Sequence, residues 1–173
     1  MAVGPDCRVL QIVGFSNSGK TTLMEKILER CKEELAWNVV TIKHHGHRGE
    51  RLYDSREVKD SDRHLKAGAM MTVVEGGGDF ILHKQNHVES LAQTIKLLRY
   101  LEADFILVEG YKSECYPKVV ILKGHGDQRL LDGMENVQVI ITWGRPFEAD
   151  VPVFSIYEEE KYVPFIVKRI RSL

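Results

Sequence analysis

Apolar positions in this chain alternate between short unbroken runs and longer stretches with a three-to-four-residue rhythm. Residues 8–13, Arg-Val-Leu-Gln-Ile-Val, are β-branched and nearly all apolar, the pattern of a strand buried on both faces of a parallel sheet. Residues 105–108, Phe-Ile-Leu-Val, are wholly apolar and predict a central buried strand. Further strands are expected at 38–43, 118–122, 137–142 and 151–156. Leu23, Ile27, Cys31 and Leu35 recur at four-residue steps with Leu28 beside them, and Glu25, Lys26, Glu29, Arg30 and Lys32 lie opposite, so an amphipathic helix follows the first strand. Val88, Leu91, Ala92, Ile95 and Leu98 mark a second such helix. A short helix is expected at 61–67, stopped by Gly68. A closing helix is expected over 157–170, with Pro164 favouring a start near that residue.

Strands alternating with helices imply right-handed crossovers and an α/β fold whose mostly parallel sheet is flanked by helices. The helices are few for the number of strands, which calls for an antiparallel hairpin; residues 70–74 and 80–83, either side of Gly76-Gly77-Gly78, supply it. No repeat, low-complexity stretch or linker divides the chain, so residues 1–173 are expected to form a single domain.

Composition narrows the function classes. At 43% hydrophobic and 28% charged residues the chain is neither disordered nor fibrous. Lys and Arg number 24 against 25 Asp and Glu, which provides no broad field for nucleic acid or an anionic membrane. No apolar run approaches the ~20 residues of a membrane span. Cys7, Cys31 and Cys115 form no Cys-x-x-Cys pair, and the first residues lack a basic stretch leading into an apolar one. A reducing, cytoplasmic location is expected.

Chemistry concentrates after the first strand. Gly14-Phe15-Ser16-Asn17-Ser18-Gly19-Lys20-Thr21 has the Walker A spacing and lies between an apolar strand and an amphipathic helix. The glycines permit a turn whose N–H groups converge into an anion nest, reinforced by the positive end of the helix dipole. Gly14, Ser16, Asn17, Ser18, Gly19, Lys20, Thr21 and Thr22 are therefore the expected nucleotide-binding residues. Lys20 should bridge the β- and γ-phosphates, the Thr21 hydroxyl should bind Mg2+, and Thr22 should reach the α-phosphate. A glycine turn that merely joins strand to helix does not need the Lys-Thr pair. The fold is thus expected to be P-loop NTPase-like.

The run at 105–108 resembles a Walker B strand and delivers Glu109 to the carboxyl edge of the sheet, where ligands of open α/β folds collect. Glu109 is a candidate for Mg2+ and catalysis, against the alternative of a solvated strand-end acid. Asp60, followed by Asp62 and His64, comes after a polar stretch over 46–59 that reads as a loop; Asp60 is a second candidate for the metal or for orienting the attacking water. Lys43-His44-His45-Gly46-His47 lacks a fourth zinc ligand, which favours polar contacts near the phosphates over a structural metal. His83, His87 and His125 stand alone and receive no role.

These blocks together resemble the molybdopterin-guanine dinucleotide biosynthesis accessory protein family, MobB, within the P-loop GTPases related to metal-centre chaperones. The resemblance rests on Gly14 to Thr22, Ile42-Lys43-His44-His45, Lys59-Asp60-Ser61 with Lys66-Ala67-Gly68-Ala69, Leu107-Val108-Glu109-Gly110-Tyr111-Lys112 and Lys118-Val119-Val120. It implies GTP and Mg2+ as ligands, weak intrinsic hydrolysis, a homodimer, and partnership with the molybdenum cofactor guanylyltransferase that joins GMP to molybdopterin. The chain departs from the family pattern at Gly46-His47-Arg48-Gly49, at Glu57-Val58, and at Ile141-Thr142-Trp143-Gly144, where the family carries an Ala-Ser-Asp-like strand end. It has no Asn-Lys-x-Asp guanine motif.

The function expected on these grounds is that of a GTP-binding accessory protein with slow Mg2+-dependent hydrolysis in which Lys20, Glu109 and Asp60 take part. Two other readings compete with it. A small-molecule kinase would hold an acceptor near the histidines and the hairpin around Glu75, and a nucleotide-gated adaptor would use the triphosphate to order 46–59 for a partner.

Overall fold

A computed structural model of the chain describes residues 8–44, 60–84 and 90–173. The chain divides into two compact units, Met1–His44 with Leu91–Leu173 and, between them in sequence, His45–Ser90.

The larger unit is an α/β sheet. Its strands are β1 (Arg8–Gly14), β2 (Val39–Lys43), β5 (Phe105–Glu109), β6 (Lys118–Leu122), β7 (Val137–Thr142) and β8 (Val153–Ser155), in the spatial order β2-β5-β1-β6-β7-β8. Every pairing is parallel. Helices α1 (Lys20–Leu35), α3 (Leu91–Arg99) and α4 (Glu159–Arg171) and a 3-10 turn over His125–Leu131 complete the unit. The smaller unit holds helix α2 (Asp60–Lys66) and the antiparallel ribbon of β3 (Met71–Gly76) with β4 (Asp79–Lys84). The mostly parallel sheet, the flanking helices and the separate hairpin are those the patterning predicts.

Successive strand residues point to opposite faces, and the core sorts accordingly. Leu10, Ile12, Phe105, Leu107, Val119, Ile121, Val139 and Ile141 pack beneath α1 and α4, against Leu23, Met24, Ile27, Cys31, Tyr162, Val163, Ile166 and Ile170. On the other face Val9, Ile106 and Val108 meet Leu91 and Ile95 of α3, while Val13, Val120, Leu122 and Ile140 pack against Leu130, Leu131 and the 147–153 segment. Both faces are covered, which is why these strands read as unbroken apolar runs.

Helix α4 begins at Glu159, ahead of Pro164, and carries the proline inside it. The closing helix expected over 157–170 is thus present, and only the later start near Pro164 is corrected. The N–H that proline lacks would have bonded the Glu160 carbonyl in the first turn; both residues are exposed, so the missing bond lies on the solvent side of the helix. Tyr162, Val163, Ile166, Val167 and Ile170 are buried and hold the helix in place. The last strand spans three residues where six were expected. The 3-10 turn lacks any clear periodicity in sequence. The second amphipathic helix is described from Leu91, and its expected beginning at Val88 falls outside the described residues.

Lys118, at the start of β6, is fully buried, with its ammonium donating to the carbonyls of Glu114 at 2.6 Å and Glu135 at 2.7 Å. It ties together the loops that enter β6 and β7. Burial lowers its pKa.

Candidate nucleotide-binding site

The turn from β1 into α1 forms because only glycine fits at its first position. A Cβ on Gly14 would lie 2.6 Å from Ser18 Oγ and 2.7 Å from the Ile121 carbonyl of β6. The chain then passes through left-handed conformations at Asn17 (φ 56°) and Gly19 (φ 99°), a geometry that aims neighbouring N–H groups towards one point. Ser16 and Asn17 are exposed on the loop, Ser18 is buried, and Gly19 caps α1, whose first turn is Lys20, Thr21 and Thr22. No acidic side chain sits in that first turn, so the positive helix end is uncompensated.

Lys20 folds back over the loop, its Nζ donating to the Phe15 carbonyl at 2.8 Å. Burial lowers its pKa; Glu109 opposes that shift, and Lys112 and Lys43 add to it. Ser18 Oγ is buried without a hydrogen-bond partner. A buried hydroxyl in that state carries a cost of ~1–3 kcal/mol, and it belongs to the loop that sequence marks for phosphate.

Glu109 stands at the end of β5, beside β1 in the sheet. Thr21 Oγ1 donates to its Oε2 at 3.4 Å, and Lys43 Nζ lies 3.7 Å from the same oxygen. The carboxylate is 13% exposed. Lys20 thus feels one carboxylate, Glu109, and two further ammonium groups, Lys112 and Lys43, of which Lys43 pairs with that carboxylate. Lys112 is held by stacking its Nζ 4.5 Å from the centre of the Phe15 ring, a cation–π contact.

The turn after Glu109 is set from β1. Gly110 and Tyr111 both have positive φ, 95° and 54°. Buried Gln11 secures them by donating from Nε2 to the Gly110 carbonyl at 3.0 Å and the Tyr111 carbonyl at 2.8 Å. A Cβ on Gly110 would come within 3.1 Å of His44 Cβ, so glycine also allows the close approach of His44. The His44 ring lies against Tyr111, centroids 4.3 Å apart.

The structure therefore brings together Gly14, Ser18, Gly19, Lys20, Thr21 and Glu109 of the expected set. Asp60 lies in the smaller unit, at the start of α2, where its carboxylate pairs with Arg63 at 3.3 Å. Asp62 sits 3.7 Å from His83 in the same unit. His45, His47 and residues 46–59 fall outside the described residues. Among those described, no three His, Cys, Asp or Glu side chains gather to hold a metal by themselves, and no helix is long and apolar enough to cross a membrane.

Lys43 is expected from the sequence only as part of the polar His-rich block near the phosphates, and Lys112, Gln11 and Trp143 carry no expected site role. The first two end β2 and the β5 turn, and a lysine at a strand's carboxyl end was the available signal. Gln11 was the one polar residue in an apolar strand. Trp143 follows Thr142 of β7 and donates from Nε1 to the Ser18 carbonyl at 2.9 Å. An open cavity of about 550 Å³ lies along 147–153, with Glu148 and Asp150 in its lining; these acids disfavour an anion there.

A polyphosphate suits the loop's charge and its unsatisfied hydroxyl, and a divalent cation suits the Thr21 hydroxyl beside the Glu109 carboxylate. Residues 9–143 match the family described as molybdopterin guanine dinucleotide synthesis protein B, MobB. A probable molybdopterin-guanine dinucleotide biosynthesis adapter protein of Bacillus subtilis (strain 168) is 43% identical over 132 residues, covering 76% of this chain and 75% of that protein. The X-ray structure of a MobB protein homolog from Bacillus stearothermophilus matches with TM-score 0.76 and 35% identity, over 95% of this chain and 99% of that one. The crystal structure of Bacillus subtilis MobB matches with the same TM-score, 0.76, and 35% identity, over 94% and 97% of the two chains.

Proposed function

Since the chain belongs to the MobB family, we propose that it is a GTP-binding adaptor of molybdenum cofactor biosynthesis that aids a guanylyltransferase in attaching GMP to molybdopterin. The observation that carries the ligand class is the cradle at the β1–α1 turn. Gly14 admits no side chain, Ser18 Oγ lacks a partner, and Lys20 reaches across the opening.

In this reading Lys20 exchanges the Phe15 carbonyl for the β- and γ-phosphate oxygens, and its charge offsets theirs. The Thr21 hydroxyl and the Glu109 carboxylate would hold Mg2+. When bound, such an ion would supply positive charge that offsets the charge of the phosphates. Lys43 and Lys112 raise the positive potential at the mouth. Glu109 is already engaged by Thr21 and Lys43, which disfavours it as a free base and fits slow hydrolysis.

A homodimer belongs to the same proposal. In the β3–β4 ribbon Val73 faces Leu82 and Val74 faces Ile81 across the ladder, and all four are exposed, as are Met71 and Phe80. Neighbouring strand residues lie on opposite faces, so both faces of the ribbon are apolar. A solvated two-stranded ribbon is marginal, and a second copy would cover it.

Calorimetry with Mg-GTP tests the ligand. Lys20→Ala should weaken binding by about 10- to 100-fold, the loss of charge-assisted hydrogen bonds worth ~1.5–3 kcal/mol, with the melting curve retained. Unchanged affinity refutes the cradle. With γ-labelled GTP, the label should appear as inorganic phosphate, and adding the protein should raise the guanylyltransferase's yield of molybdopterin-guanine dinucleotide. Transfer of label to an acceptor would instead establish a kinase.

A further inference from the structure

We propose that the indole of Trp143 is the platform on which the nucleobase stacks, so that this chain holds its nucleotide by the face of the base. The inference rests on the nucleotide-binding reading above and deepens it.

Strand order provides the direction. β1 lies between β5 and β6. The residues suited to the metal and the terminal phosphates, Glu109, Lys43 and Lys112, are all on the β5 side. A triphosphate with its γ end there must direct its nucleoside to the other side, over the carboxyl ends of β6 and β7, where ligands of open sheets lie. Trp143 is the first residue after β7.

The ring is fixed and accessible. Nε1 donates to the Ser18 carbonyl at 2.9 Å, while a Cβ on Gly19 would meet Cζ2 at 3.9 Å, so the indole is anchored to the phosphate loop itself. It remains 45% exposed. Tyr157, 76% exposed, stands nearly perpendicular to it at 6.1 Å between centroids. Gly124 and Gly144 are the neighbours on the two strand ends, and a Cβ on Gly144 would lie 4.0 Å from Gly124 Cα, so these positions project no side chain towards the ring.

The strand end that carries the ring has no Asn-Lys-x-Asp guanine motif, and several nearby carboxylates already hold partners. Residues 142–147, Thr-Trp-Gly-Arg-Pro-Phe, include no acid. Asp127 Oδ2 accepts from the Lys123 N–H, Glu158 accepts from the Ser155 N–H and from Lys161, and Glu159 pairs with Lys26. Stacking on a π face is available to any purine, so the ring adds no guanine preference of its own.

Titration of the full chain with Mg2+ complexes of GTP, ATP and inorganic tripolyphosphate tests this, followed by calorimetry and by indole fluorescence. Either nucleotide should bind about tenfold or more tightly than tripolyphosphate, since base stacking on an aromatic ring is worth about 5- to 150-fold. GTP and ATP should lie within about tenfold of each other, because each has the same π surface. Trp143→Ala should bring the nucleotide-to-tripolyphosphate ratio close to one. Trp143→Phe, which keeps a stacking face, should preserve most of it. Tripolyphosphate binding with an unchanged ratio in Trp143→Ala, or GTP favoured over ATP by far more than tenfold, overturns the platform and leaves the phosphate cradle standing. No binding of tripolyphosphate or of either nucleotide overturns both.

Discussion

Replacing Gly14 by alanine probes the point at which sheet and phosphate loop meet. The added methyl would sit 2.6 Å from Ser18 Oγ and 2.7 Å from the Ile121 carbonyl oxygen, against the ~3.3 Å at which carbon and oxygen normally touch. The two contacts differ in how far they can yield. Ser18 belongs to a loop, but Ile121 pairs with Gly14 of β1 on one side and with Ile141 of β7 on the other, so its carbonyl cannot retreat without disturbing two ladders. The end of β1 must lift instead. Overpacking of this kind costs ~1–3 kcal/mol. With a urea m-value of ~1–3 kcal/mol/M, the unfolding midpoint should fall by about 1 M at unchanged slope. Binding of Mg-GTP should weaken about tenfold or more, because the lifted strand displaces the first N–H groups of the nest. Adding Ser18→Ala removes one of the two contacts and should restore less than half of the lost stability. A midpoint within about 0.2 M of the parent, by far-UV circular dichroism in urea, together with normal affinity, would refute the tight fit on which the cradle argument stands.

Gln11→Leu keeps the volume of the side chain but leaves the Gly110 and Tyr111 carbonyls without their donor; stability should drop by ~1–3 kcal/mol, and Mg-GTP affinity should fall although Gln11 belongs to no phosphate motif. Lys118→Met deprives the carbonyls of Glu114 and Glu135 of the ammonium of a fully buried lysine and should lower stability by ~1–3 kcal/mol in urea titrations without altering nucleotide affinity. Cys31 is buried, and burial, with Glu34 assisting, raises its pKa from 9.0 to about 11. The native chain therefore keeps a proton that the unfolded chain releases near pH 9, so the thiol's contribution to stability is complete below that pH and disappears as pH rises through about 11. Iodoacetamide at pH 8 should label exposed Cys115 and spare Cys31; equal labelling would contradict the burial.

Local pattern was sufficient for much of the fold. A strand buried on both faces must be apolar throughout, so β1, β5, β6 and β7 are legible as runs, and α1 is legible from Leu23, Ile27 and Cys31, all on its buried face. The Gly14-to-Thr21 turn is contiguous, which is why its residues are assembled where the motif places them. Pro164 misled because a proline's effect depends on whether water can reach the carbonyl it leaves free, and exposure is a tertiary property.

What tertiary structure alone decided is everything that joins distant segments. The amino-acid order names Glu109 as a strand-end acid, but only the pairing of β5 with β1 and β2 places it against Thr21 and Lys43. Gln11 looks like a flaw in an apolar strand until the turn at Gly110 and Tyr111 comes over it. Trp143 is an isolated aromatic until β7 takes its place beyond β6 and directs the indole onto Ser18. Backbone propensity and hydrophobic period act over a few residues and are written in the chain itself. Charge pairing, hydrogen bonding and stacking depend on distances across the sheet, which exist only once the strands have found their order.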